Sequence, residues 1–147
     1  MTAADDPGAR VRASFARQAA MATLGVEVVH VAPGEVDLRM PYRAELTQQH
    51  GFLHAGIIAT LADSAAGYAA FTLMPADAGV VSVEFKLNLM APAVGEAFVA
   101  RGRVKKAGRT LTVVNTDVFA HRDGAERLIA TMQATIMTLL DRPGMSG

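Results

Sequence analysis

The sequence predicts an α+β fold, a curled antiparallel β-sheet wrapped around one long central helix. Three observations predict it. First, the stretch Leu53 to Met74 contains no Lys, Arg, Glu or Pro, and its only carboxylate is Asp63. Apolar or small residues occupy almost every side of its helical wheel, the pattern of a helix surrounded by protein. Second, a hairpin-like pair of segments precedes this helix and four strand-like segments come after it with short turns, which favours antiparallel pairing. Third, a flat sheet cannot cover one helix on all sides, so the sheet must curl.

Composition bounds the rest. The chain has 147 residues, enough for one domain with a substantial core. With 51% hydrophobic and 19% charged residues, disorder is not expected over most of it. A formal net charge of zero argues against broad attraction to nucleic acid or acidic membranes. The absence of cysteine excludes disulfides, thiolate metal sites and a Cys nucleophile. The charged N-terminus lacks an apolar signal region, so a cytoplasmic protein is expected. The central stretch is long enough to span a bilayer, but His54, Asp63, Gly56 and Gly67 interrupt it and no basic anchors flank it closely, which disfavours a span.

In chain order, residues 1–8 read as a loose leader. Residues 9–22 read as one short amphipathic helix, with Val11, Phe15, Ala19 and Met21 on a common side. Gly25 to Val31 and Val36 to Pro41 read as strands joined at the turn signal Pro33-Gly34. Tyr42 to Phe52 is a polar connection into the central helix, a common place for function. After the turn at Pro75 to Gly79, Val81, Val83, Phe85, Leu87 and Leu89 alternate with Ser82, Glu84, Lys86 and Asn88. That period of two predicts a strand with one buried face. Glu96 to Lys106, Arg109 to His121 and Leu128 to Leu139 complete the strands, with a turn at Arg122-Asp123-Gly124 and a polar tail over residues 141–147. The whole chain, 1–147, is expected to be a single domain.

The dense polar cluster is Gln48, His50-Gly51, His54-Ala55-Gly56 and Asp63. The first backbone N–H groups of a helix lack internal partners and carry the positive end of its dipole, so they can polarise a carbonyl and hold an oxyanion. Ala55 and Gly56 are small enough for a substrate to approach that backbone. Alternatively, Gly56 merely permits close packing of helix on strand. Gly56, Thr60, Asp63 and Gly67 share a small, slightly polar face, and Ile57, Ile58, Leu61, Ala65 and Tyr68 lie opposite. Asp63 therefore either lines a slot as a functional acid or is satisfied by a hydroxyl such as Thr60. Asp63 lies eight residues beyond Ala55, roughly 12 Å further along the helix. A general base must lie within about 3 Å, or one water, of its target. If both groups serve one reaction they must come from two chains, which points to a two-fold dimer.

The stretch Gln48 to Gly56 followed by Leu61-Ala62-Asp63 resembles the signature of hotdog-fold acyl-CoA thioesterases of the phenylacetate-degradation type. The resemblance continues through Val80 to Phe85, Ala91-Pro92-Ala93 and Lys105 to Thr110, and covers roughly residues 24–139. The family usually has His-Gly-Gly where this chain has His54-Ala55-Gly56. The resemblance implies thioester hydrolysis on an acyl-CoA, with no cofactor beyond the CoA of the substrate, by a homodimer or dimer of dimers. It implies that the Ala55 N–H holds the thioester oxygen within the His54-Ala55-Gly56 segment, that Gln48 positions the carbonyl or water, that Asp63 acts as base or nucleophile, and that Ser82 helps hold the attacking water. Gly67, Tyr68, Glu84 and Leu89 are candidate substrate-binding positions, and Lys106 and Arg109 candidate contacts for CoA phosphates. Arg101 and Arg103 read as a solvated strand face.

Other chemistries fit less well. His50 and His54 lack a nearby acidic third ligand, so no metal site is expected. Ser64 is not in a Gly-x-Ser-x-Gly elbow, and no Walker or dinucleotide fingerprint is present. Two functional alternatives stay open: a hotdog hydratase or dehydratase, and a non-catalytic acyl-ligand sensor. Asp63 has no His at helical spacing on its C-terminal side, which weighs against the first.

Overall fold

A computed structural model describes residues 6–147. The expected leader lies mostly outside the described residues. Where it is described it is not loose: Asp6 caps a helix, α1 (Pro7–Phe15), its carboxylate accepting from the Gly8 N–H at 2.9 Å. The single helix expected over 9–22 is two. The chain breaks at Ala16 to Gln18 and a second short helix, α2 (Ala19–Leu24), closes at Gly25, whose φ of 69° is the left-handed conformation glycine accepts readily. Val11 and Met21, one on each helix, are both buried, so the break lets two short apolar faces reach the same core.

Strands β1 (Glu27–Ala32) and β2 (Glu35–Pro41) form the expected hairpin across Pro33-Gly34. A polar connection containing a short 3-10 turn at Ala44–Leu46 leads to the central helix α3 (Ala55–Phe71). The chain then continues through β3 (Gly79–Leu89), β4 (Ala97–Lys106), β5 (Leu111–Arg122) and β6 (Ala125–Leu139). All pairings are antiparallel, in the order β1-β2-β4-β5-β6-β3. This is the hotdog arrangement: α3 packs against five strands of one curled sheet. Leu61, Ala62, Ala65, Ala66, Ala69 and Ala70 are fully buried beneath it, as expected of a helix whose wheel carries no charge but Asp63. Close approach depends on Gly102 in β4, where a Cβ would meet the Ala65 carbonyl oxygen at 2.5 Å. No helix among the described residues is long and apolar enough to cross a membrane.

One strand departs from its sequence pattern. β3 does not keep a single period of two, because a bulge at Val83 shifts its register against β6: Ser82 faces Ile136, but Glu84 faces Thr135. A bulge places two residues opposite one and turns the rest of the strand to the other face. Ser82 therefore shares the inner, helix-facing side with Phe85, Leu87 and Leu89, while Val81 and Glu84 turn outward. The expected buried face is also largely uncovered in one chain: Phe85 is 44% and Leu89 55% exposed. β3 is one of the two terminal strands, and among the described residues its outer edge is unpaired.

Candidate active site

The approach to α3 builds the first half of the site. A turn closed by the Gly51 N–H to the Gln48 carbonyl (3.0 Å) uses the left-handed φ of 82° at Gly51. In that turn the Gln48 side-chain oxygen accepts from the His50 backbone N–H. With its oxygen occupied, the amide presents its NH2 end as the free donor. Leu53 N–H to Ala93 O (3.2 Å) and His54 N–H to Leu46 O (3.0 Å) tie the chain down immediately before the helix.

His54 is the N-cap of α3. Its Nδ1 accepts from the Gly56 N–H at 2.9 Å, so this ring nitrogen is unprotonated. The Ile57 N–H bonds to the His54 carbonyl at 2.9 Å. Among the described residues the Ala55 N–H has no protein acceptor, and it remains the donor at the helix tip. This gives two expected residues a structural place, His54 as the cap and Gly56 as the donor to it. Gly56 cannot offer its own N–H, because His54 takes it. Its small size instead makes room for the cap, since a Cβ there would lie 3.1 Å from His54 Nδ1. Ala55 and Gln48 border one cavity of about 380 Å³, walled by Phe52, Leu53, Ile58 and Leu89.

The second half lies further along α3. Asp63 accepts a 2.6 Å hydrogen bond from the Ser82 hydroxyl through Oδ1. Thr60 does not satisfy it, because the Thr60 hydroxyl bonds back to the Gly56 carbonyl at 2.9 Å. Asp63 and Ser82 open into a separate cavity of about 210 Å³ with Ser64, Gly67, Tyr68 and Gln18. The Tyr68 hydroxyl lies 3.4 Å from that of Ser14. Burial pushes the Tyr68 phenol above its ordinary range, partly offset by that hydrogen bond and by Arg17.

The remaining expected residues are distributed unevenly. Leu89 joins the helix-start cavity, and Gly67 and Tyr68 join the Asp63 cavity. Glu84 joins neither. The bulge turns it outward, where its carboxylate accepts from the Thr135 hydroxyl. Arg101 and Arg103 are engaged on the outer face by Glu126 (2.7 Å) and Asp37 (2.6 Å). Lys106 and Arg109 are exposed, without ion-pair partners among the described residues, beyond the Asp63 end of the sheet. Gln18 was not expected at the site, because a residue inside a continuous amphipathic pattern gives no sign that the helix breaks there.

The sequence matches the Thioesterase superfamily over residues 50–126. A thioesterase family protein from Silicibacter pomeroyi is 57% identical and superimposes with a TM-score of 0.90, covering 91% of this chain and 98% of that one. The acyl-coenzyme A thioesterase 13 of Homo sapiens is 35% identical over 94 residues, 63% of this chain and 66% of its own length. The PaaI protein of the Escherichia coli phenylacetic acid degradation operon shares the fold with a TM-score of 0.82 at 16% identity, covering 95% and 97% of the two chains. On the residues of the site and on these likenesses together, this chain belongs to the thioesterase superfamily and has its hotdog fold.

Proposed function

We propose that this chain hydrolyses an acyl-CoA thioester at a site assembled from two copies. The observation that carries the reading is the separation of parts. The donors, Ala55 N–H and Gln48, border one cavity, and the acid, Asp63 with Ser82, borders another. The two groups lie roughly 12 Å apart along one helix, too far to meet at one carbon. The open edge of β3 and its exposed Val83 and Phe85 suit pairing with a second copy, which would bring Asp63 of one chain to the helix start of the other. The human relative named an acyl-coenzyme A thioesterase supports the choice of thioester.

In this reading the thioester carbonyl accepts from the Ala55 N–H, with the helix dipole behind it, and from the Gln48 amide. Ser82 holds Asp63 Oδ1 and leaves Oδ2 to take a proton from water. The water oxygen attacks the carbonyl carbon, and the carbon–sulfur bond breaks as the tetrahedral intermediate collapses. The leaving thiolate takes that proton from Asp63 and departs as CoA, the acid is released, and the carboxylate is restored. Direct attack by Asp63 Oδ2, giving a mixed anhydride that water then opens, uses the same contacts. Lys106 and Arg109 lie at the Asp63 end, so they would reach the CoA phosphates of a site whose helix start belongs to the other chain.

The test is thiol release over a panel of aromatic, medium-chain and short-chain acyl-CoAs, with Asp63→Asn as the control. Release by the wild type and loss in the variant support the reading. Tight acyl-CoA binding with no release across the panel overturns it.

A further inference from the structure

Beyond the Phe52 and Pro92 walls of the helix-start cavity lies another cavity of about 380 Å³, and these two residues border both. Its rim carries Arg122 and Arg127 on the β5–β6 hairpin. The hairpin turns at Asp123 (φ 52°) and Gly124 (φ 76°), both left-handed, the geometry that matches strand twist in a two-residue turn. Arg122 pairs with Ala125, and Ala120 with Arg127. The two arginines are thus diagonal neighbours on one face, about 7 Å apart at Cα. That face is the inner one, since Ala120 is buried.

Three acids lie near this pair: Glu126 on the lining of the same cavity, Glu96 beside Arg122 in an adjoining one, and Asp123 in the turn; among the described residues only Asp123 forms an ion pair with either arginine. His121 and Glu126 face the opposite side of the hairpin. There the Glu126 carboxylate accepts two hydrogen bonds from Arg101, at 3.1 and 2.7 Å, and lies 3.4 Å from His121 Nε2. Asp123 approaches Arg122 at 3.6 Å, but both side chains are largely exposed, and such a pair is weak. Arg127 has no ion-pair partner among the described residues.

Position separates these arginines from Lys106 and Arg109. Lys106 sits opposite Val113, and Val113 is nine residues from Arg122 on β5, about 30 Å. Among the described residues, Arg122 and Arg127 line the cavity that shares Phe52 and Pro92 with the helix-start cavity, and Lys106 and Arg109 line neither.

We propose that this cavity receives a phosphate group of the thioester's carrier, with Arg122 and Arg127 pairing to its oxygens and the pantetheine chain crossing the Phe52–Pro92 wall. The inference rests on the thioesterase reading and adds an anion contact from the chain that supplies the helix start. The test compares three thioesters of one acyl group: acyl-CoA, acyl-phosphopantetheine and acyl-pantetheine. For Arg122→Ala/Arg127→Ala, the ratio of kcat/KM for acyl-CoA over acyl-pantetheine falls about tenfold, as expected for lost charge-assisted contacts. If acyl-phosphopantetheine falls with acyl-CoA, the phosphate next to pantetheine is the one held, as it would be on a carrier protein. If only acyl-CoA falls, the nucleotide phosphates are. An unchanged ratio overturns the proposal. Calorimetric titration with CoA keeps the test separate from turnover. Wild-type binding weakened at least tenfold in the double variant supports the cavity even if no thioester is cleaved, and equal binding rejects it.

Discussion

The two cavities along α3 are built from opposite materials. The helix-start cavity has donors and apolar walls: Ala55 N–H and the Gln48 amide face Phe52, Leu53, Ile58 and Leu89. The Asp63 cavity has an acid and polar walls: Gln18, Ser64, Tyr68 and Ser82 surround the carboxylate. The first can hold an oxyanion but contains no base. The second can hold water and take its proton but offers no helix-tip amide. In the proposed reading each is half of an acyl-transfer site, and the difference is the reason that reading calls for two copies.

Removing the acid should have the largest effect. Asp63→Asn keeps the shape and should lower turnover about 10²- to 10⁴-fold with substrate affinity little changed, read by steady-state thiol release. An Asn variant with full turnover would make the polar cavity a bystander. Gln48→Ala removes a donor from the other cavity, and kcat should fall about 10²-fold. If only KM rises, Gln48 binds ground state and transition state alike.

Joining the cavities should depend on the β3 edge. Phe85→Lys places a charge among the exposed apolar residues of that edge, so sedimentation should shift toward the monomer and turnover should drop in step. A fully active monomer would separate the cavities from dimerisation altogether. Ser82→Ala tests the bond that orients Asp63, and a loss of roughly tenfold in kcat is expected. The smallest effect on turnover is expected for Gly102→Ala, a position that lines neither cavity. There the added methyl meets the Ala65 carbonyl and should cost about 1–3 kcal/mol in stability, read by denaturant unfolding.

Much of this was legible in the residues. A 17-residue helix without a charge other than Asp63 has to be enclosed, and antiparallel strands joined by short turns are the means of enclosing it. The cap at His54 and the free donor at Ala55 are set by a polar residue ahead of an apolar run. Three features were not legible. The bulge at Val83 uses no glycine, so an unbroken alternation concealed that Ser82 turns toward Asp63 while Glu84 turns away. The break before α2 puts Gln18 beside Asp63 because two short apolar faces pack better than one continuous helix, a tertiary preference with no local signal. The engagement of the Gly56 N–H depends on the His54 side-chain rotamer, which sequence does not specify.

Mixing two inactive variants tests the central claim most directly. Asp63→Asn and Gln48→Ala chains, co-refolded in equal amounts, form half their dimers as heterodimers. One of the two sites in each heterodimer then carries an intact Gln48 facing an intact Asp63. The two-chain account predicts recovery to about one quarter of wild-type turnover. Turnover no greater than the mean of the two parents, in a mixture shown to contain heterodimers, would contradict it.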